Sequence, residues 1–245
     1  MGDRLFSGMF TEIRKAYSIE VKKMSTPEEL IQLSRSFQVD PEMVHSSFEK
    51  FYVRTGVDYA KLAAKGSGKV LEKKDDDLWL QKILEYVRTS TGTKITKTIS
   101  THYKDIQAIA RKMVQAGIDE GFGMDVIARN IMKGQGEIDL WKALRIARTE
   151  VVAASSIGTK MGAETLVGKK SKVWVSTFDD RSRGASPKDE YDHMSMDGQK
   201  VGIEDMFISS NGNKLEFPGD PNCTDPGEII NCRCGYEVIV ESEYF

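Results

Sequence analysis

The chain has 245 residues, 40% of them hydrophobic and 29% charged, with a net charge of -2 at pH 7. That length can bury a sizeable core in one domain or two. The near-neutral total excludes an overall basic footprint for nucleic acid, and the lack of any apolar run near 18 residues excludes a membrane-spanning helix from the reading.

Charge is uneven along the chain. Residues 1–135 hold 22 Lys+Arg against 18 Asp+Glu, and residues 136–245 hold 13 against 19. The expected organisation is a mildly basic helical docking region over 1–135 and a compact, acidic α+β domain over 136–245. The stretch Met1 to Phe10 lacks the basic-then-apolar pattern of a signal peptide, so a cytoplasmic setting is expected. The three cysteines, Cys223, Cys232 and Cys234, lie close together near the C-terminal end. An odd count in a reducing compartment argues against a disulfide framework and leaves metal binding or plain burial.

In chain order, Thr26-Pro27-Glu28-Glu29 predicts a helix start, with Thr26 as cap, Pro27 in the first turn and Glu29 closing a capping box. Asp40-Pro41-Glu42 repeats that logic ahead of Met43, Val44, Phe48 and Phe51. Gly66-Ser67-Gly68 is a break. Asp75 to Asp77 place acid at the next helix start, where the helix dipole favours it, and Leu78, Leu80, Ile83, Leu84 and Val87 are the expected apolar face. A helix over 98–116 should stop at Gly117, and a short one over 124–132 should end at Gly134. The longest helix is expected over about 138–166, with a seam of Leu140, Leu144, Ala147, Val151, Ala154, Gly158 and Met161. Its small residues would let another backbone approach closely. His45 and His102 fall in helical segments and are expected at the surface or an interface, and aromatics near Phe48, Phe51 and Tyr52 are expected to be exposed for docking.

After Gly168 the period changes to two. Residues 172–178 predict a strand with Trp174, Ser176 and Phe178 on one side. Asn211-Gly212 signals a hairpin joining strands near 206–210 and 213–217, Pro218-Gly219-Asp220-Pro221 a double turn folding that hairpin over the sheet, and 235–240 the last strand. The fold class expected is α+β: a helical N-terminal part, then a long helix packed on a small, mostly antiparallel sheet. Trp174 should be buried against that helix.

Arg148 and Glu150, two positions apart on a helix, cannot pair with each other. Arg148 is expected to tether the helix to the charged loop at Asp179 and Asp180, with Glu150 near solvent or another arginine. The stretch from Asp179 through Arg183 to Asp192-His193 can order a loop through side-chain turns, or hold a divalent ion for hydrolysis. Cys223, Cys232 and Cys234 with His193 make a donor set adequate for structural zinc. Alternate residues on a strand point to opposite faces, so only a turn at Asn231 to Cys234 would bring both Cys-x-Cys thiols together. Buried thiols without a cofactor are the expected state, zinc the alternative. Arg233 should make a salt bridge, and a cysteine nucleophile would need His193 beside Cys232 and a third orienting group.

Taken together, Ile146-Ala147-Arg148-Thr149-Glu150, Lys172-Val173-Trp174, Asp180-Arg181-Ser182-Arg183, His193, Asp197-Gly198-Gln199, Pro218-Gly219-Asp220-Pro221 and Asn231-Cys232-Arg233-Cys234 follow an order that resembles the phage Mu protein F-like family, also called the phage head morphogenesis domain. The resemblance covers roughly residues 100–240. It implies that Arg148, Glu150, Asp180, Arg183 and His193 are structural polar anchors and not catalytic groups. It implies a minor head protein of a tailed phage, acting in head assembly near the portal and in DNA packaging or delivery. The portal protein, the major capsid protein and packaged DNA would be its partners, with no membrane. It would sit inside the virion head after assembly in the host cytoplasm. The alternative is a metal-dependent nuclease or toxin-like effector on the same domain.

Overall fold

The computed structural model describes the backbone of residues 2–90 and 92–241; of these, the side chains of 2–3, 92–96, 98–99, 103 and 140–141 are not described. Among the described residues the order is α1 (Gly2–Val21), α2 (Pro27–Ser36), α3 (Pro41–Gly66), α4 (Lys73–Ser90), α5 (Gly92–Asp119), α6 (Met124–Glu164), β1 (Lys170–Val175), β2 (Lys200–Gly202), β3 (Phe207–Ile208), β4 (Lys214–Leu215), α7 (Pro226–Ile229) and β5 (Gly235–Val240). The class is α+β, with a helical N-terminal part. The chain forms two compact units, Met1–Phe48 with Gly92–Ile146, and Glu49–Thr91 with Ala147–Phe245. These are not the linear parts 1–135 and 136–245 read from charge, because α3 and α6 each supply residues to both units.

In the first unit the capping box at α2 is complete: Glu29 N–H donates to Thr26 Oγ1 at 3.2 Å, and Thr26 N–H to Glu29 Oε2 at 3.2 Å. Tyr17, Leu30, Ile106, Ala110, Val114, Ile127 and Ile131 are buried in one apolar cluster. Gly117 lies inside α5 rather than ending it. A Cβ there would fall 2.4 Å from Ile127 Cγ1, so glycine serves close packing. Likewise Gly134 does not end a helix; α6 runs unbroken for 41 residues. Phe48 is buried edge-on against Phe6, which corrects its expected exposure.

His102 is also buried, not at a surface, with its ring 5.2 Å from that of Phe10. Burial pulls its pKa down to about 4. Its Nδ1 lies 3.6 Å from Asp139 Oδ1, while Arg14 Nη1 is 3.7 Å from Asp139 Oδ2. Burial pushes Asp139 up to about 7 against the pull of Arg14 and Lys142. A carboxyl whose folded pKa is raised stabilises the fold at low pH, and that contribution is lost as pH rises through about 7. Asp139→Asn cannot ionise. Its melting temperature relative to the parent chain should therefore be higher at pH 8.5 than at pH 5; an equal difference at both would contradict the assignment.

In the second unit, α4 buries Asp75, Trp79, Ile83 and Val87, one residue per turn. The expected face missed Trp79 and included Leu78, which is exposed. Trp79 Nε1 donates to Met161 O at 3.1 Å, fixing α4 against α6. Phe51 and Tyr52 are buried here, again correcting their expected exposure. The thin part of α6 does accept a close backbone: a Cβ on Gly158 would lie 2.2 Å from Gly56 O, and one on Gly162 2.5 Å from Ala60 O, both on α3. Val151, placed on the seam from sequence, is exposed, and Ala153 and Ile157 are buried instead.

Two small antiparallel sheets follow, in order β2-β1-β5 and β3-β4. Lys172 pairs with Val201 on one side of β1 and with Val238 on the other. The hairpin turn carries Gly212 at φ 78, as Asn-Gly predicts, but its strands are two residues each. Gly158→Ala should destabilise the chain by about 1–3 kcal/mol through overpacking, read by denaturant titration. An unchanged midpoint would mean that α3 and α6 do not approach as closely as this.

Candidate functional site: a buried Glu-His-Cys constellation

The site is built where β1 ends. Trp174 is fully buried, with its ring edge-on to His193 at 5.5 Å and to Phe207 at 5.2 Å. It clusters with Met196, Leu215, Cys223, Cys232 and Cys234. Its burial is as expected, but the residues clustered around it come from the loops and the hairpin, not from α6.

The loop after β1 is sewn back onto the strand. Trp174 N–H donates to Gln199 O, and Gly198 N–H to Trp174 O, both at 3.0 Å. Ser176 N–H donates to Asp197 Oδ1 at 2.8 Å, and Ser176 Oγ to His193 O at 2.5 Å. His193 and Met194 both donate backbone N–H to Arg183 O at 3.1 Å. These bonds set the His193 ring above Trp174.

A short helix brings the partner. Asp225 caps α7, accepting from Gly227 N–H at 2.9 Å, and the helix turns Glu228 fully inward. Glu228 Oε2 lies 2.6 Å from His193 Nε2, and Oε1 accepts from Ser209 Oγ at 2.7 Å and Asn213 Nδ2 at 2.9 Å. Burial alone pushes the Glu228 pKa up, but the hydrogen bonds from Asn213, Ser209 and His193 outweigh it and hold the carboxyl below its usual range. An ionised carboxylate only accepts, so Nε2 carries the proton and Nδ1 faces the other way.

Nδ1 faces two sulfurs, Cys232 Sγ at 3.5 Å and Cys234 Sγ at 3.7 Å. The turn that aligns them is made by Asn231, at φ 59, whose N–H donates to Thr149 Oγ1 of α6 at 3.1 Å. Both cysteines precede β5, so strand alternation does not separate them. The hydrogen bond between the two thiols pulls Cys234 down and pushes Cys232 up. Among the described residues, His193, Cys232 and Cys234 form the group of His, Cys, Asp or Glu side chains able to hold a metal, with ligand atoms all within 4.8 Å of one another. Cys223 is not part of it; its thiol turns to Asp225 O at 3.7 Å.

The remaining expected anchors divide. Glu150 is buried and accepts from Tyr52 OH at 2.5 Å, so it does not sit near solvent. Arg148 is exposed, and the loop at Asp179 is held instead by Arg233, 2.5 Å from Asp179 Oδ2. Asp180 is exposed and apart from His193, so the metal-hydrolase arrangement of Asp179, Asp180 and His193 is not formed. Arg183 donates to Ile230 O and lies over the Tyr191 ring. The sequence reading missed Glu228, Thr149 and Tyr52. Glu228 had one readable signal, its place behind the helix start Asp225-Pro226.

Residues 107–237 match the family described as phage Mu protein F like protein, more than half of the chain and every residue of this site. The chain belongs to that family. The Mu F-like family is one of phage head morphogenesis, a structural role. The chain is also 27% identical over 146 residues to the NAD(+)–arginine ADP-ribosyltransferase EFV of Enterococcus faecalis, covering 58% of this chain and 28% of that protein. It thus spans little more than a quarter of that relative's length. No solved structure matches. No helix among the described residues is long and apolar enough to cross a membrane.

Trp174→Ala should cost the Mu F-like domain about 3–5 kcal/mol, the range for a large core aromatic. A denaturant titration reads it, and a loss below about 1 kcal/mol would contradict a core indole.

Proposed function

We propose that this chain is a minor head protein of a tailed bacteriophage, acting in head assembly near the portal and in DNA packaging or delivery. The observation that carries the reading is the family match over residues 107–237. The portal protein, the major capsid protein and packaged DNA are the proposed partners, and the head interior the proposed location. The docking surface is assigned to the helices of residues 1–135, on their mild positive excess. Exposed aromatics at Phe48, Phe51 and Tyr52 do not contribute, since all three are buried.

The chain is proposed to act without catalysis. Its polar side chains at the site are turned on one another and buried, with Glu228 and His193 almost wholly shielded. The Enterococcus faecalis relative bears an enzyme's name, and the chain spans 28% of it. A shared domain explains that overlap without a shared active site. A nuclease is disfavoured because Asp180 and His193 do not converge.

Two measurements test this. Quantitative mass spectrometry of purified virions should find the chain at low copy, protected from external protease; its absence from DNA-filled heads would contradict the reading. Purified chain incubated with NAD+ and an arginine acceptor should release no nicotinamide above background, and steady release would favour the enzyme.

A further inference from the structure

We propose that His193 Nδ1, Cys232 Sγ and Cys234 Sγ are the ligands of a zinc ion, with Glu228 orienting the histidine and a non-protein donor in the fourth position. This goes beyond the head-assembly reading and does not depend on it.

Three observations point to an ion. The first is spacing. Zinc bonds of about 2.3 Å to sulfur and about 2.0–2.1 Å to nitrogen, at a tetrahedral angle, set nitrogen and sulfur about 3.6 Å apart. The two distances here are 3.5 and 3.7 Å. The second is orientation. Metal-bound histidines donate their other ring N–H to a carboxylate or carbonyl, which fixes the tautomer and raises ligand basicity. Glu228 does this at 2.6 Å, and Ser209 and Asn213 hold Glu228 in turn. The third is chemistry. Two thiolates and a neutral imidazole balance a divalent charge in a place where His193, Cys232 and Cys234 are 1%, 1% and 6% exposed. Soft sulfur donors with one imidazole select zinc over magnesium or calcium, which take oxygen.

The ligand set is not the three cysteines and one histidine that sequence composition offers. Cys223 is turned to Asp225 O, and Ser176 Oγ, 3.8 Å from Cys234 Sγ, is engaged with His193 O. The ion would join the loop carrying His193 to the turn carrying Cys232 and Cys234, which holds the end of β1 beside the start of β5.

The test uses the full chain, purified and supplied with zinc alone. Elemental analysis should give one zinc per chain after gel filtration. X-ray absorption at the zinc edge should find two sulfurs at about 2.3 Å and nitrogen or oxygen at about 2.0–2.1 Å. Cys223→Ser should keep the ion. Glu228→Gln should weaken zinc binding about 10–100-fold in competition with a chelating dye, the usual effect of losing the group behind a metal-bound histidine. Folded protein without zinc, a shell with three sulfurs or with none, or loss of the ion in Cys223→Ser would each overturn the assignment. The absorption measurement on the parent chain decides it even where a variant fails to fold.

Discussion

The Glu228 carboxylate is the constraint on which the C-terminal half of the second unit depends. It is fully buried, and a buried charge is tolerated only when its acceptors are used. His193, Ser209 and Asn213 use them. These donors come from the loop after β1 and from the β3–β4 hairpin, while Glu228 itself sits on α7. One side chain therefore ties three segments of little regular structure into a single arrangement. Two-residue strands would not hold their register on ladder bonds alone. Removing the carboxylate would take the acceptor from His193 and Ser209 at once, while Asn213 Nδ2 would keep Asp225 Oδ2 at 3.2 Å.

Helix α6 supplies the surface on which that arrangement rests. Thr149 accepts from Asn231, and Ser156 Oγ donates to Pro218 O at 2.9 Å. The Pro218-Gly219 turn presses on the helix itself. Gly219 has φ 77, and a Cβ there would lie 3.0 Å from Ala153 N, so glycine is required on two counts. That turn therefore docks on α6, while the hairpin beside it packs on the sheet, with Phe207 edge-on to Trp174 of β1 and Lys172 Nζ donating to Glu216 O at 2.8 Å. On another face, Gly158 and Gly162 admit α3. Small residues on several faces explain why α6 reads poorly as a single apolar stripe. A constellation enclosed in this way holds loops in place, which suits a structural family better than a cleft would.

Local signals in the sequence were readable where a few neighbouring residues decide the outcome. The Thr26–Glu29 box, the Asn211-Gly212 turn and the limits of β5 need no distant partner. The burial of Trp174 was expected against the long helix and is found against the loops and hairpin instead, and the grouping of His193 with Cys232 and Cys234 was offered only as the zinc alternative, with Cys223 included. The rest depends on contacts far apart in the chain. Gly117 and Gly134 read as helix stops because their packing partners, Ile127 and Ile109, cannot be inferred from composition. The apolar face of α4 was read correctly at Ile83 and Val87 but missed Trp79, which is held by Met161, 82 positions away. Glu228 looks like any surface glutamate until its donors are seen. For the same reason a truncation at residue 65 would remove Tyr52, Gly56 and Ala60 from the second unit, and is not a clean domain deletion.

The central claim, that Glu228 fixes His193 with Nε2–H inward and Nδ1 toward the sulfurs, is tested most directly by long-range nitrogen–proton NMR correlations of the His193 ring. The account predicts a protonated Nε2 whose hydrogen exchanges slowly with solvent, and loss of that slow proton in Glu228→Gln. An unprotonated Nε2 in the parent chain would contradict it.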